Sequence, residues 1–213
     1  MNNIPLFTGE NGVATLILKE IPYSGEGYVI FRTVQPGKAA EFAAECAKFC
    51  RMAGAEAVYA AGEGLDDFPR HCEVWSMACA KEAIAPGNGL LWPVLPENVA
   101  KYRGIYNERM RGVHNAASMA WTDEKRLVKE GGAYFVHRDG QLLGIGQVQE
   151  NRLETVIATV PGEGATVLEA LVQQINADTV RLQVASTNTR AICLYHRLGF
   201  LTTGVVNTWY RIQ

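Results

Sequence analysis

Residues 182–200 read LQVASTNTRAICLYHRLGF, and this stretch decides the fold. Val180 to Ala185 is a β-branched run of strand type. Asn188 can cap a helix over 189–198, in which Ala191, Leu194, Tyr195 and Leu198 share one face, and Gly199 stops it. Upstream lies a helix over 166–176, with Val167, Leu168, Leu171, Val172 and Ile175 on one side. Before it a strand over 153–160 runs into Pro161, Gly162, Glu163, Gly164 and Ala165. The order is strand, glycine turn, helix, strand, capped helix. Free N–H groups at the start of a helix, backed by its dipole, suit a phosphate or diphosphate. No Gly-Lys-Ser/Thr follows, so this is not a nucleotide-triphosphate loop, and the glycine spacing is not that of a dinucleotide fold.

Working outward, residues 133–137 and 141–147 flank Arg138, Asp139 and Gly140, a tight hairpin signal. A short strand over 90–95, a helix from Pro96 to about Arg111 and a second helix over 122–129 precede the hairpin. Strands over 201–206 and 208–212 close the chain. Ala85, Pro86, Gly87, Asn88 and Gly89 are the best linker candidate. They separate an N-terminal α/β unit, 1–84, from a second domain, 90–213. The first half reads strand 14–19, strand 28–33, helix 38–52, and strands 57–61 and 72–77. Its strand, Pro36-Gly37 turn, helix and strand echo the strand, Pro161-Gly162 turn, helix and strand of the second half.

With 213 residues, 48% apolar and 20% charged, the chain has ordinary globular composition and can bury a core without staples. A net charge of −2, from 20 Lys+Arg and 22 Asp+Glu, argues against broad phosphate contacts to nucleic acid. No stretch has the length of apolar residues that a spanning helix needs, and 1–12 lacks a secretory pattern, so a cytoplasmic protein is expected. The five cysteines fit a reducing compartment. Cys46 and Cys50 stand four apart on a helix, and His71 with Cys72 could join them on a metal. The plainer reading is buried thiols, and no metal is expected.

The strand followed by Asn188, Ala191, Leu194-Tyr195 and Gly199-Phe200 resembles the signature of the GNAT N-acetyltransferase superfamily, and the likeness covers about 90–213. It implies a mixed, mostly antiparallel α/β sheet flanked by helices, with the N-terminal unit like half of the same fold. It implies an acetyl-CoA-dependent N-acetyltransferase moving an acetyl group to a primary amine by direct attack in a ternary complex. In that reading Thr159 and Val160 pair with the pantetheine arm and the Val160 N–H meets the oxyanion. The N–H groups of Gly162, Gly164 and Ala165 hold the diphosphate, Asn188 contacts the cofactor, and Tyr195 protonates the departing thiolate. Glu154, then Glu150, are the candidate bases for the incoming ammonium. On the residues alone Tyr195 is also a good core tyrosine, Asn188 a plain cap and Glu154 a solvated edge carboxylate.

The turn departs from the family pattern. It is short and lacks the usual Arg or Gln ahead of its glycines, where Thr159, Val160 and Pro161 stand. A charge-assisted contact to the diphosphate is therefore missing there. Tyr106, Asn107, Arg109, Met110, His114, Asn115 and Met119 are available to a small-molecule or peptide amine acceptor, and a homodimer is compatible with the sequence. The alternative is a non-catalytic acyl-CoA-binding or interaction module with a decayed phosphate loop. An aminoacyl-tRNA donor is disfavoured by the absence of a basic patch.

Overall fold

The computed structural model describes residues 5–113 and 116–213. The chain divides into two compact units, Met1–Val74 with Val205–Gln213, and Trp75–Gly204.

The first unit holds β1 (Leu6–Thr8), β2 (Gly12–Ile17), the single turn α1 (Ile21–Ser24), β3 (Glu26–Val34), α2 (Ala39–Met52) and β4 (Ala57–Ala61). It shares β5 (Arg70–Ala80) and β11 (Leu201–Arg211) with the second unit, because each of these strands crosses a unit boundary. β1, β2 and β3 run antiparallel, and β3 pairs β4 in parallel after the crossover through α2. β11 lies antiparallel to β4, with Tyr210 opposite Ala60. α2 buries Phe42, Ala43, Cys46, Ala47 and Cys50, a stripe of helical period, against Leu16, Val29, Phe31 and Val58. Burial pushes the Cys46 thiol up to about 12 and the Cys50 thiol up to about 11. Cys72 belongs to a different cluster, with Tyr28, Tyr59 and Trp209.

The second unit holds β6 (Leu90–Pro93), α3 (Val99–Met110), α4 (Trp121–Glu130), β7 (Ala133–Arg138), β8 (Gln141–Gln149), β9 (Arg152–Ala158), α5 (Gly164–Val172), β10 (Thr179–Ala185) and α6 (Thr189–Arg197). Its strand order is β5-β10-β9-β8-β7-β6. β6 to β9 are antiparallel neighbours, and β9 pairs β10 in parallel through α5. The mixed, mostly antiparallel α/β sheet expected from the sequence is present. Asp139 at φ 52° and Gly140 at φ 79° make the β7–β8 turn.

Two cores form in this unit. Val167, Leu168, Leu171 and Val172 of α5 pack with Leu143, Leu153, Leu182, Tyr195 and Phe200. Tyr102 of α3 and Leu127 of α4 pack with Phe135, Ile145 and Ile157. Gly144 and Gly146 on β8 let α5 close in: a Cβ on Gly144 would lie 2.6 Å from Val167 Cγ2, and one on Gly146 would strike Leu171.

Several boundaries differ from the sequence reading. β9 stops at Ala158 rather than residue 160, and α5 runs Gly164–Val172 rather than 166–176. The two closing strands are one, β11, which runs through Asn207 without a break. β1 and α1 are short elements without a periodic signal.

Candidate active site

The site grows from one feature of β9 and β10. Their ladder consists of Arg152 opposite Arg181 and Leu153 opposite Leu182. Beyond Leu182 the strands part. β9 also carries an extra residue: Gln147 of β8 faces Thr155 and Val148 faces Leu153, so Glu154 sits in a bulge. The bulge resets the alternation of side chains. Leu153 packs into the α5 core and Ile157 into the α3 core.

The parted strands leave a cleft of about 570 Å³. One wall is Val156, Ile157 and Ala158 of β9. The turn adds Val160, Pro161, Gly162 and Gly164, and α6 adds Asn188, Ala191, Leu194 and Tyr195. The last turn of α3 and the residues after it add Arg109, Met110 and Val113.

At the turn, Thr159 and Val160 N–H both point to Leu143 O, at 2.8 and 3.4 Å, so the backbone curls toward β8 as the strand ends. The Val160 N–H is thus shared with Leu143 O. Thr159 Oγ1 donates to Leu142 O at 3.0 Å, away from the cleft lining. Gly162 has φ 90°, a conformation open to glycine, and nothing lies within 4 Å of where its Cβ would be. That leaves the backbone bare to a ligand. Among the described residues, the N–H groups of Gly162, Gly164 and Ala165 have no protein partner, as the first turn of a helix requires. Glu163, at the cap of α5, accepts from Thr166 Oγ1 at 2.7 Å and from Arg138 Nη2 at 2.6 Å. The Thr166 hydroxyl first, and Arg138 second, hold its carboxyl below the usual range. Its charge is therefore already neutralised beside the anion site.

α6 presents its side chains as the sequence ordered them. Asn188 Oδ1 accepts from Ala191 N at 3.2 Å, a true N-cap, and the residue also lines the cleft. Three and seven residues on, Ala191 and Tyr195 line the same cleft. Tyr195 is buried, its ring centroid 5.8 Å from that of Phe200, and burial pushes its phenol up to about 12. The phenol thus keeps its proton throughout the neutral range.

The carboxylate candidates lie elsewhere. Glu154 is exposed and pairs with Arg152 Nε at 3.3 Å, and it is not among the cleft residues. Glu150, at φ 55°, lines a separate depression with Asn151, Gln174 and Asn176. Asn107 of α3 is spent on a clamp: it donates to Met119 O and accepts from Met119 N, at 2.9 and 2.8 Å. His114 and Asn115, of the expected acceptor set, lie outside the described residues.

The structure adds three cations that the sequence reading did not give to the cofactor: Arg109, Arg190 and Arg197. Arg190 and Arg197 stand seven apart, two helical turns, and so share a face, a signal that was readable. Arg109 comes from α3, fifty residues before the turn, and its Nη2 donates to Thr159 O at 2.8 Å.

No family model matches this sequence, and no curated protein matches it. Solved structures do. A GCN5-related N-acetyltransferase from Sphaerobacter thermophilus aligns with a TM-score of 0.57 at 14% identity, over 94% of this chain and 76% of that one. A GNAT-family acetyltransferase from Colwellia psychrerythraea gives 0.51 at 14% identity, over 98% and 84%. A conserved protein of unknown function from Staphylococcus epidermidis gives 0.59 at 11% identity, over 99% and 94%. The chain has the GNAT fold.

Proposed function

We propose that this chain is an acyl-CoA-dependent N-acyltransferase, with acetyl-CoA as donor and a primary amine as acceptor. The observation that carries the reading is the parting of β9 and β10 beside the N-terminus of α5, with Tyr195 buried on the α6 wall. A bound acyl-CoA supplies an activated thioester. The residues present fit such a ligand. The bare N–H groups of Gly162, Gly164 and Ala165 offer a diphosphate neutral donors at the positive end of a helix. The β9 residues 156–158 border the cleft of about 570 Å³, where an extended arm would lie along the strand.

Tyr195 holds a proton at Oη for the sulfur that leaves when the amine nitrogen bonds the acyl carbon. A phenol pushed up to about 12 stays protonated until that moment. In this reading the incoming ammonium loses one proton to solvent before attack and a second as the amide forms, and solvent returns a proton to the Tyr195 phenolate. Glu154, the base expected from sequence, is engaged with Arg152 outside the cleft.

The test is binding followed by turnover. Acetyl-CoA at about 100 times its dissociation constant should add about 2.7 kcal/mol to the unfolding free energy, read as a thermal shift. Acetylation of at least one amine from a broad panel should follow. No shift with either acetyl-CoA or CoA sinks the reading. A shift without transfer to any amine leaves the acyl-CoA-binding module in its place.

A further inference from the structure

We propose that Arg109 supplies the cation that the turn 159–165 lacks, and that the site recognises the diphosphate of its ligand through this side chain. The inference rests on the acyl-CoA reading above and names the residue by which that reading gains its charge recognition.

The turn offers N–H groups but no cation of its own. A diphosphate is a dianion or nearly so. Hydrogen bonds from a charged donor are roughly twice as strong as those from a neutral one. Two arginines hydrogen-bond residues of the turn. Arg138 is consumed by Glu163 at 2.6 Å. Arg109 has no carboxylate partner among the described residues. It is exposed and lines the cleft. Among the described residues its protein bond runs from Nη2 to Thr159 O at 2.8 Å and places the guanidinium at the first residue of the turn. That bond uses one donor of a planar fork, and the others remain for an anion. Tethering by a carbonyl leaves the charge unneutralised and lowers the entropy lost when the fork closes on a phosphate. Arg190 and Arg197 also line the cleft, but on α6, and no hydrogen bond ties either to the turn.

The experiment compares three probes on the wild type and on Arg109→Gln: CoA, dephospho-CoA, which keeps the diphosphate and loses the ribose phosphate, and pantetheine, which has no phosphate. Titration calorimetry reads the affinities, and a melting curve confirms that the exposed substitution leaves the fold intact. The variant should bind CoA and dephospho-CoA about 10- to 100-fold more weakly, by the same factor, with pantetheine changed less than about twofold. Arg109→Lys should recover part of the loss, because the charge returns without the fork. Equal loss for all three probes would make Arg109 a mere support of Thr159 and overturn the proposal. Loss confined to CoA, or no loss, would overturn it as well. Wild type that binds none of the three removes the acyl-CoA reading itself, a result distinct from a variant that behaves like wild type.

Discussion

The molecule builds the same device twice and opens it once. In the first unit β3 reaches a Pro36-Gly37 turn, crosses by α2 and returns as β4, with five consecutive parallel pairs from Glu26 opposite Ala57 to Ile30 opposite Ala61. In the second, β9 reaches a Pro161-Gly162 turn, crosses by α5 and returns as β10, with two pairs. The first crossover is filled with rings: Phe42 near the start of α2 lies 4.9 Å from Phe31 and 6.2 Å from Phe7, centroid to centroid. Its turn ends on Lys38, which pairs with Glu41 at 2.7 Å. The second crossover has a bulge at Glu154 and a cleft at its turn. Both crossovers are scaffolds, and the one with the shorter ladder is the one that borders a cleft.

The comparison breaks most visibly at Tyr195. If the parted crossover does chemistry, Tyr195→Phe should lower kcat by about 10²–10⁴-fold and leave KM for acetyl-CoA within a few-fold, in steady-state assays on an acceptor the wild type uses. Full turnover in the variant would reduce Tyr195 to a core aromatic. The pH dependence sharpens the point. The folded phenol sits at about 12 against an unfolded value of about 10, so it is protonated below both. Any alkaline fall in kcat due to this group should appear near pH 12, and its contribution to stability should be full below pH 10 and fade above it.

A second test sets one turn against the other. Ala165→Glu puts a carboxylate among the bare N–H groups of α5 and should weaken CoA binding by about 100-fold or more, read by calorimetry. Lys38→Glu makes a similar change at the N-terminus of α2 and should leave CoA affinity unaltered. Equal losses would mean that the two crossovers are not distinguished by their ladders. The smallest effect belongs to Asn188. Removing its cap with Asn188→Ala should destabilise the protein by about 1 kcal/mol in denaturant titration. A change below about 0.3 kcal/mol would show that α6 is held by packing alone.

What was legible in the sequence was local. Asp139-Gly140 specified the β7–β8 turn, Asn188 specified the α6 cap, and the stripe on 166–176 specified the α5 core, because each effect acts within a few residues. What was not legible was pairing. β9 and β10 share two pairs, next to the bulge at Glu154, and a bulge has no composition of its own. The same bulge decides which way Glu154 faces, so its departure from the cleft was equally hidden. Arg109 meets Thr159 across fifty residues, a contact that only the packing of α3 creates. The unit boundaries at 74/75 and 204/205 fall inside β5 and β11, where nothing in the local composition changes.

That β11 crosses a boundary orders events on the ribosome. The first unit is translated first, yet it is completed by residues 205–213, which emerge only after all of 75–204. Until then β4 lacks the strand that holds Tyr210 opposite Ala60 and donates from Ile212 N to Val58 O. During synthesis the nascent chain therefore presents an apolar, unpaired edge at Ala57–Ala61, and chaperone demand should fall on that window.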